Sequence, residues 1–331
     1  MQNESLLEIR EVYKYFPVTK GLLRRKVGDV KAVDNVSLTI RNGETLGIVG
    51  ESGCGKTTLG RCVVRLNPLT KGQIFVRDDN GELQDIHALK KKESFRLRKK
   101  VQIVFQDPYA SLNPSKNILS AFDEPLKIHG VKSKKERLKI ASEMMEAVNL
   151  SPEYLYRYPH EFSGGQRQRI CIAKALALNP NLIVCDEPVS ALDVSIQAQI
   201  MNLMRDLQEK YNLTYLFIAH DISVVKYMSD RIAVMYLGKI VEMADSETIT
   251  QRCLHPYTKE LMAAVPIPRL GAKKQEVMLT GDVPSPMNPP SGCRFHPRCT
   301  YCQDICRQEE PELRENPNEP GHYCACHLLK P

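Results

Sequence analysis

The sequence predicts an α/β protein built on a mainly parallel sheet, and three observations support this prediction. Short, wholly apolar runs such as Leu46–Val49 and Leu182–Cys185 are typical of buried parallel strands. A third such run, in "TYLFIAHD", ends at His220. Between the first two runs, "KKERLKIASEMMEAVNL" carries apolar residues at helical spacing, which indicates a helical region inserted between strands.

The length and composition are those of an ordinary globular protein. The chain has 331 residues, of which 42% are hydrophobic and 26% charged, so it can form one large domain or two smaller ones. The first residues, "MQNESLLEIR", lack the cationic and apolar regions of a signal peptide. No apolar run approaches the ~18 residues that span a bilayer. We therefore expect a cytosolic protein that does not itself cross a membrane.

The net charge of +7 is concentrated in short basic runs. These runs are Arg24–Lys26, Lys90–Lys92, Arg96–Lys100 and Lys132–Arg137. Clustered cations can neutralise nucleic-acid phosphates, but these runs lack interleaved aromatic residues on which bases could stack. We interpret them as solvated helix faces and predict no nucleic-acid partner.

The strongest local motif is "GESGCGKT", which follows the apolar run Leu46–Val49 and precedes a helical pattern. This context identifies a phosphate-binding P-loop, in which glycines let successive N–H groups point at phosphate oxygens. Lys56 is expected to reach the β- and γ-phosphates, and Thr57 to bind Mg²⁺. Cys54 is interpreted as a small filler. The predicted nucleotide-binding residues of this segment are Gly50, Ser52, Gly53, Cys54, Gly55, Lys56, Thr57 and Thr58.

Two adjacent carboxylates follow the second apolar run, in "LIVCDEP". At the end of a buried strand, Asp186 can hold Mg²⁺ and Glu187 can act as general base toward the attacking water. His220 follows the third apolar run, and we interpret it as a contact to the γ-phosphate. The predicted catalytic residues are Glu187, His220, Gln106 and Lys56.

The segment "FSGGQRQRICIAKAL" is not required by phosphate binding, and here the chain resembles the ATP-binding subunit of an ABC transporter. The resemblance covers roughly residues 6–265, and its motifs occur in the family's order. Phe162 stands where many members have Leu, which is a mild variation. The motifs are the P-loop Gly50–Thr57, Gln106 in "VFQDP", the signature Ser163–Gln166, the carboxylates Asp186 and Glu187, Asp193 closing "SALD", and His220.

This resemblance implies that two such subunits enclose ATP between the P-loop of one and the signature of the other. Ser163, Gly164, Gly165 and Gln166 would bind a γ-phosphate presented across the interface, with Asp193 also near the nucleotide. Gln106 would contact Mg²⁺ or the water, so the implied Mg²⁺ ligands are Thr57, Gln106 and Asp186. The adenine would stack on Phe16, with Tyr15 as a weaker candidate.

The two ends of the chain are similar to the ATPases of oligopeptide and dipeptide importers. These close with a cysteine pattern, "GC-x-F-x-x-RC … C … C", which Cys293, Cys299, Cys306 and Cys326 match, while Cys302 and Cys324 are extra. We predict an ATP-binding domain at 1–265, with a helical subdomain at about 107–180 and an antiparallel β subdomain. A loop-rich cysteine-rich extension follows at 266–331.

Clustered thiols in a cytosolic protein favour metal binding over disulfides. Four thiolates suit Zn²⁺ or an iron–sulfur cluster, and fully reduced thiols are a third possibility. The resemblance implies a [4Fe–4S] cluster, with Cys324 as an alternative to Cys326 for the fourth ligand. We interpret the cluster as a structural staple rather than a redox sensor and expect the P-loop to lie in a core separate from the tail.

The predicted function is the ATP-hydrolysing motor subunit of a peptide importer, peripheral on the cytoplasmic face of the cell membrane. The resemblance implies a paralogous ATPase as dimer partner, with a homodimer as the alternative. It also implies two membrane permease subunits and, indirectly, an extracytoplasmic peptide-binding protein. A nickel or oligosaccharide importer, and a non-transport ABC ATPase, are the alternative functions.

Overall fold

A computed structural model describes residues 4–21, 25–263 and 282–329. The chain divides into two compact units. One comprises Met1–Leu6, Ile40–Glu44 and Ala88–Ile218, and the other Leu7–Thr39, Thr45–His87 and Ala219–Pro331. The predicted boundary between residues 265 and 266 lies outside the described residues and stays a prediction.

The secondary structure contains both strands and helices along the chain. The strands are β1 Ser5–Lys20, β2 Arg25–Arg41, β3 Thr45–Val49, β4 Lys71–Arg77, β5 Leu83–Asp85, β6 Val101–Val104, β7 Leu182–Asp186, β8 Thr214–Ile218, β9 Arg231–Tyr236, β10 Lys239–Asp245, β11 Arg314–Glu315 and β12 Tyr323–Cys324. The α-helices are α1 Lys56–Val63, α2 Lys91–Lys100, α3 Pro108–Ser111, α4 Ile118–Ile128, α5 Lys134–Ala147, α6 Gly164–Leu176, α7 Val194–Tyr211, α8 Ile222–Met228, α9 Ser246–Arg252, α10 Pro256–Ala263 and α11 Asp304–Gln308. Short 3₁₀ turns occupy Pro152–Tyr156, Pro159–Glu161 and His296–Arg298.

The first unit contains the parallel strands β6, β7 and β8, with β7 in the centre. Every residue of β7 and β8 is buried, as their continuous apolar sequences predict. The predicted helix in "KKERLKIASEMMEAVNL" is confirmed as α5, which begins where the Ser133 hydroxyl accepts a hydrogen bond from the N–H of Glu136. Helices α3 to α6 precede β7 and form the helical region expected between the apolar runs.

The second unit contains a sheet in the order β11-β12-β10-β9-β3. Strands β3 and β9 are parallel, whereas the remaining pairs are antiparallel. Strand β3 is completely buried and leads into the P-loop. A second sheet, in the order β2-β1-β4-β5, pairs β1 with β4 and β4 with β5 antiparallel, as expected for an antiparallel β subdomain.

The basic runs follow the prediction only in part. Helix α2, which carries two of them, has no buried residue and is a solvated helix, as predicted. Arg137 departs from this prediction, because its side chain is buried and pairs with Asp123 at 2.5 Å. It also donates to the carbonyl oxygens of Val131 and Lys132. A guanidinium can leave solvent when carbonyl and carboxylate oxygens take its donors. Arg24 lies outside the described residues.

The cysteine-rich tail is not a separate body. Strand β12 continues the sheet of the second unit by pairing with β10, and the N–H of Ala325 donates to Val241 O at 2.8 Å. Glu242 of β10 is fully buried and contacts Nε2 of the tail residue His322 at 2.7 Å. The expectation of separate cores is therefore wrong, because the tail completes the sheet that leads to the P-loop strand β3.

Both ring nitrogens of His322 face carboxylates. Nε2 lies 2.7 Å from Glu242, and Nδ1 lies 2.9 Å from Glu319. Only the protonated imidazole can donate from both nitrogens. Burial lowers the pKa of His322, but the two carboxylates outweigh it and raise the pKa above its ordinary value.

Among the described helices, none combines the length and apolar character that crossing a bilayer requires.

His322→Gln is expected to reduce the free energy with which the tail strand β12 docks on β10 by about 2 kcal/mol near pH 6. The reason is that buried Glu242 loses a charged hydrogen-bond donor. The raised pKa contributes stability that is fully present below the unfolded value of 6.5 and is lost as the pH rises through the folded value. Hydrogen exchange at the amide of Ala325 measures the docking free energy. The difference in docking free energy between variant and wild type should shrink as the pH rises through the raised pKa of His322, and a difference independent of pH would contradict a charged His322.

Candidate nucleotide-binding site

The P-loop joins strand β3 to helix α1 through backbone conformations that require glycine. Gly50 has φ 151°, and a Cβ there would lie 2.1 Å from Met235 O. Gly55 has φ 110°, and a Cβ there would lie 1.9 Å from Ala32 O. The loop is therefore pressed against the backbone on two sides, which fixes the direction of its N–H groups.

Lys56 is buried, and its ammonium lies inside the curve of the loop. Nζ donates to Gly50 O at 2.6 Å and to Glu51 O at 3.0 Å. Thr57 and Thr58 follow in the first turn of α1, while Ser52 and Gly53 are exposed at the tip of the loop. The predicted phosphate-binding residues are thus together around one ammonium group.

Cys54 lies within this loop and is buried. Burial raises the pKa of its thiol, whereas the nearby Lys56 lowers it, and burial dominates. The thiol is therefore protonated at neutral pH. A buried, protonated thiol supports the interpretation of Cys54 as a small filler.

In the first unit, Gln106 and Glu187 lie together at the C-terminal ends of β6 and β7. Gln106 Nε2 donates to Glu187 Oε2 at 3.0 Å. Glu187 has φ 51°, a left-handed conformation that is unfavourable for a residue with a side chain. Strain of this kind persists where the surrounding structure fixes it, often in active sites. Asp186, immediately before, is buried at the end of β7.

The signature segment begins helix α6. Ser163 Oγ accepts from the N–H of Gln166 at 3.3 Å, and Gln166 Oε1 accepts from the N–H of Ser163 at 3.0 Å. This capping box leaves the helix N-terminus at Gly164 and Gly165, where N–H groups and the helix dipole favour anions. Asp193 similarly caps α7 by accepting from the N–H of Ile196 at 3.0 Å.

The two aromatic candidates for adenine stacking differ in their surroundings. Tyr15 donates its hydroxyl to Asp34 at 2.5 Å and is partly buried. Phe16 is exposed, with Lys14 Nζ 4.7 Å from its ring centroid. Of the two rings, Phe16 is therefore the one presented to solvent. His220 is also exposed, two residues beyond the end of β8.

Four tail cysteines line one cavity in the second unit: Cys293, Cys299, Cys306 and Cys326. Burial, together with a smaller effect of the neighbouring thiols, raises the pKa of Cys293 to about 12. Cys324 is fully buried in β12, and Cys302 Sγ contacts Gln303 O at 3.6 Å. No group of three or more His, Cys, Asp or Glu side chains within 4–21, 25–263 and 282–329 is arranged to hold a metal ion.

Sequence reasoning missed two residues of this site. Glu51 of the P-loop forms an ion pair with Arg298 of the tail, at 2.8 Å. Arg298 is the arginine of the quoted "RC" pattern, directly before Cys299, so the motif contained the signal. Its partner could not be identified because the two residues are 247 positions apart.

The sequence of this chain is similar to those of known proteins. Residues 33–190 match the family model described as "ABC transporter". The chain is 53% identical over 328 residues to the oligopeptide transport ATP-binding protein AppF of Bacillus subtilis, covering 98% of both chains. The chain belongs to the ABC transporter ATP-binding family. It is an ATPase of the ABC class.

Other relatives extend the same result. Residues 241–306 match the model described as "Oligopeptide/dipeptide transporter, C-terminal region". The dipeptide transport ATP-binding protein DppF of Haemophilus influenzae is 48% identical over 325 residues, covering 98% of this chain and 97% of that protein. The dimeric ATP-binding cassette MJ0796, bound to ADP and Pi in a post-hydrolysis state, superimposes with a TM-score of 0.62 at 31% identity. That alignment covers 72% of this chain and 98% of the other, and it confirms the predicted fold class.

Gly55→Ala is expected to abolish nucleotide binding or folding, because its Cβ would collide with Ala32 O. Gly53→Ala is the matched control, since Gly53 also has a positive φ, 78°, but nothing lies within 4 Å of its added Cβ. The control should cost about 1–2 kcal/mol from backbone strain alone. Thermal unfolding and titration with MgADP measure both variants. Equal losses in the two variants would show that close packing at Gly55 is unimportant.

Proposed function

We propose that this chain is the ATP-hydrolysing motor subunit of a peptide importer. The observation that carries the proposal is the 53% identity to AppF over nearly the whole of both chains. The complete set of ATPase motifs adds the chemistry, and the match to the oligopeptide/dipeptide transporter C-terminal region adds the class of importer. ATP binding and hydrolysis would drive peptide uptake through two separate membrane permeases, supplied indirectly by an extracytoplasmic peptide-binding protein.

In this proposal, the P-loop amides and Lys56 bind the β- and γ-phosphates, and Phe16 stacks on the adenine. Thr57, Asp186 and Gln106 hold or contact Mg²⁺. Glu187 removes a proton from the attacking water, and His220 contacts the γ-phosphate. The hydrogen bond between Gln106 and Glu187 supports this assignment, because it holds the base next to the residue that senses Mg²⁺.

The N-terminus of α6 is proposed to act on ATP bound to another subunit. Ser163 is exposed, as are Asp193 and Val194, the latter at 81%. A dimer would cover these exposed segments, and the related cassette MJ0796 is dimeric. We propose a paralogous ATPase as the natural partner and a position on the cytoplasmic face of the cell membrane.

Glu187→Gln tests the catalytic proposal. The substitution keeps the shape of the side chain but removes the base, so hydrolysis should fall by about 10²–10⁴-fold. ATP binding should persist, because Lys56 and the loop amides are unchanged. Steady-state ATPase assays measure the loss, and size-exclusion chromatography with MgATP should reveal a stable dimer.

The matched control is Lys56→Ala, which should lose nucleotide binding together with hydrolysis. Wild-type turnover in Glu187→Gln would remove Glu187 from the mechanism. Loss of turnover without any dimer in MgATP would count against the shared nucleotide site, while leaving the base assignment in place.

We further propose that Cys293, Cys299, Cys306 and Cys326 hold a [4Fe–4S] cluster. Support comes from the cavity that these four side chains line. These four thiolates would supply the four cysteine ligands that such a cluster takes. The cluster would supply cross-links between short segments that have little apolar core of their own.

Protein purified without oxygen should then be brown and contain about four irons and four labile sulfides per chain. Substitution by Ser should remove the colour at each of four positions, Cys293, Cys299, Cys306 and Cys326. Cys302→Ser and Cys324→Ser are the controls and should keep it. Iron, sulfide and zinc analyses measure the outcome. Stoichiometric zinc without iron, in protein made with ample iron, would replace the cluster by a zinc site and leave the ATPase proposal intact.

A further inference from the structure

Glu51 places a carboxylate in a loop that binds anions. It is the first residue after Gly50, and its own carbonyl accepts from Lys56 Nζ at 3.0 Å. A negative side chain in this position opposes the binding of phosphates, since like charges repel in a partly desolvated site. The loop therefore needs a positive charge that cancels the charge of Glu51 without occupying the phosphate-binding space.

Arg298 of the tail supplies that charge through two parallel contacts. Its two terminal nitrogens donate to the two oxygens of Glu51, at 2.8 and 3.0 Å. The Arg298 side chain is only 3% exposed. The hydrogen bonds to Glu51 raise the pKa of Arg298 above its ordinary value. This two-point geometry is specific to arginine, and its burial protects it from screening by salt.

The surroundings of Arg298 fix its position. The Tyr236 hydroxyl lies 3.4 Å from one of its nitrogens, and Tyr236 packs edge-on against Phe295, three residues before Arg298. Tyr257 joins the same aromatic cluster, and its hydroxyl accepts from the N–H of Glu51 at 2.8 Å. Both the backbone and the side chain of Glu51 are thus held by one group of residues.

We propose that Arg298 is a positioning residue of the nucleotide site, which neutralises Glu51 and thereby allows the P-loop to accept phosphates. The proposal deepens the proposed ATPase function and rests on it. It makes the tail part of the nucleotide site rather than an appendage. A second carboxylate, Glu260, also interacts with the charge of Arg298, so removing the guanidinium leaves two carboxylates without that charge.

The test compares MgADP affinities of the full-length chain by isothermal titration calorimetry. ADP is used because it probes the P-loop without hydrolysis. Arg298→Gln should weaken binding on the order of tenfold, because Glu51 is left charged. Glu51→Gln should bind more tightly than wild type, because the positive charge of Arg298 is no longer cancelled. The double variant should return to within about threefold of wild type.

Opposite signs for the two single variants distinguish this role from a purely structural one. Loss of packing or of an ion pair would lower thermal stability in both single variants and would weaken binding in both, or in neither. Wild-type affinity in Arg298→Gln, or weakened binding in Glu51→Gln, overturns the proposal. If Arg298→Gln does not fold, Glu51→Gln and the double variant still decide the sign.

Failure of the proposed function is recognised separately. If the wild-type chain bound no MgADP, or bound it no more tightly than Lys56→Ala does, the assignment of the nucleotide site itself would be wrong. If wild type binds and Lys56→Ala does not, the Arg298 comparison tests the further inference alone.

Discussion

The P-loop of the second unit depends on the hydrogen bonds that the Lys56 ammonium group donates to the carbonyls of Gly50 and Glu51. A chain can curve around its own lysine only if the loop leaves ordinary backbone conformations, which Gly50 and Gly55 permit. The curved loop then needs support from outside, because it has no hydrophobic core of its own. Strand β9 provides Met235 behind Gly50, and Ala32 lies behind Gly55.

The tail also supports the P-loop. It adds β12 to the sheet beside β10 and brings Arg298 to the carboxylate of Glu51. Arg294 reaches Asp34, which also accepts from Tyr15. Burial raises the pKa of Asp34, but the hydrogen bond from Tyr15 and the charge of Arg294 outweigh burial and lower the pKa below its ordinary value, so Asp34 is ionised. Two buried arginines of the tail therefore form ion pairs with Asp34 and with Glu51 of the P-loop. In each pair, removing one partner would leave the other as an uncompensated charge away from solvent.

The sequence was sufficient for features that depend on local pattern. Strands β3, β7 and β8 were predicted because buried strands have continuous apolar sequences, and α5 because its apolar residues repeat with the helical period. The P-loop followed from glycines and a lysine at fixed spacing. Contacts between distant residues were not predictable, because no local pattern says which carboxylate Arg298 will meet. The sequence likewise predicts a solvated Arg137, and its burial could not be foreseen because its partners Asp123 and Val131 belong to other turns of the chain.

The distance of 247 residues between Glu51 and Arg298 has a consequence for biosynthesis. The ribosome makes the phosphate loop first, and it delivers the guanidinium that neutralises Glu51 only 247 residues later. A nascent or prematurely terminated chain would thus carry all the ATPase motifs while its loop still held an uncompensated negative charge. The full affinity of the loop for nucleotide would therefore be reached only late in synthesis.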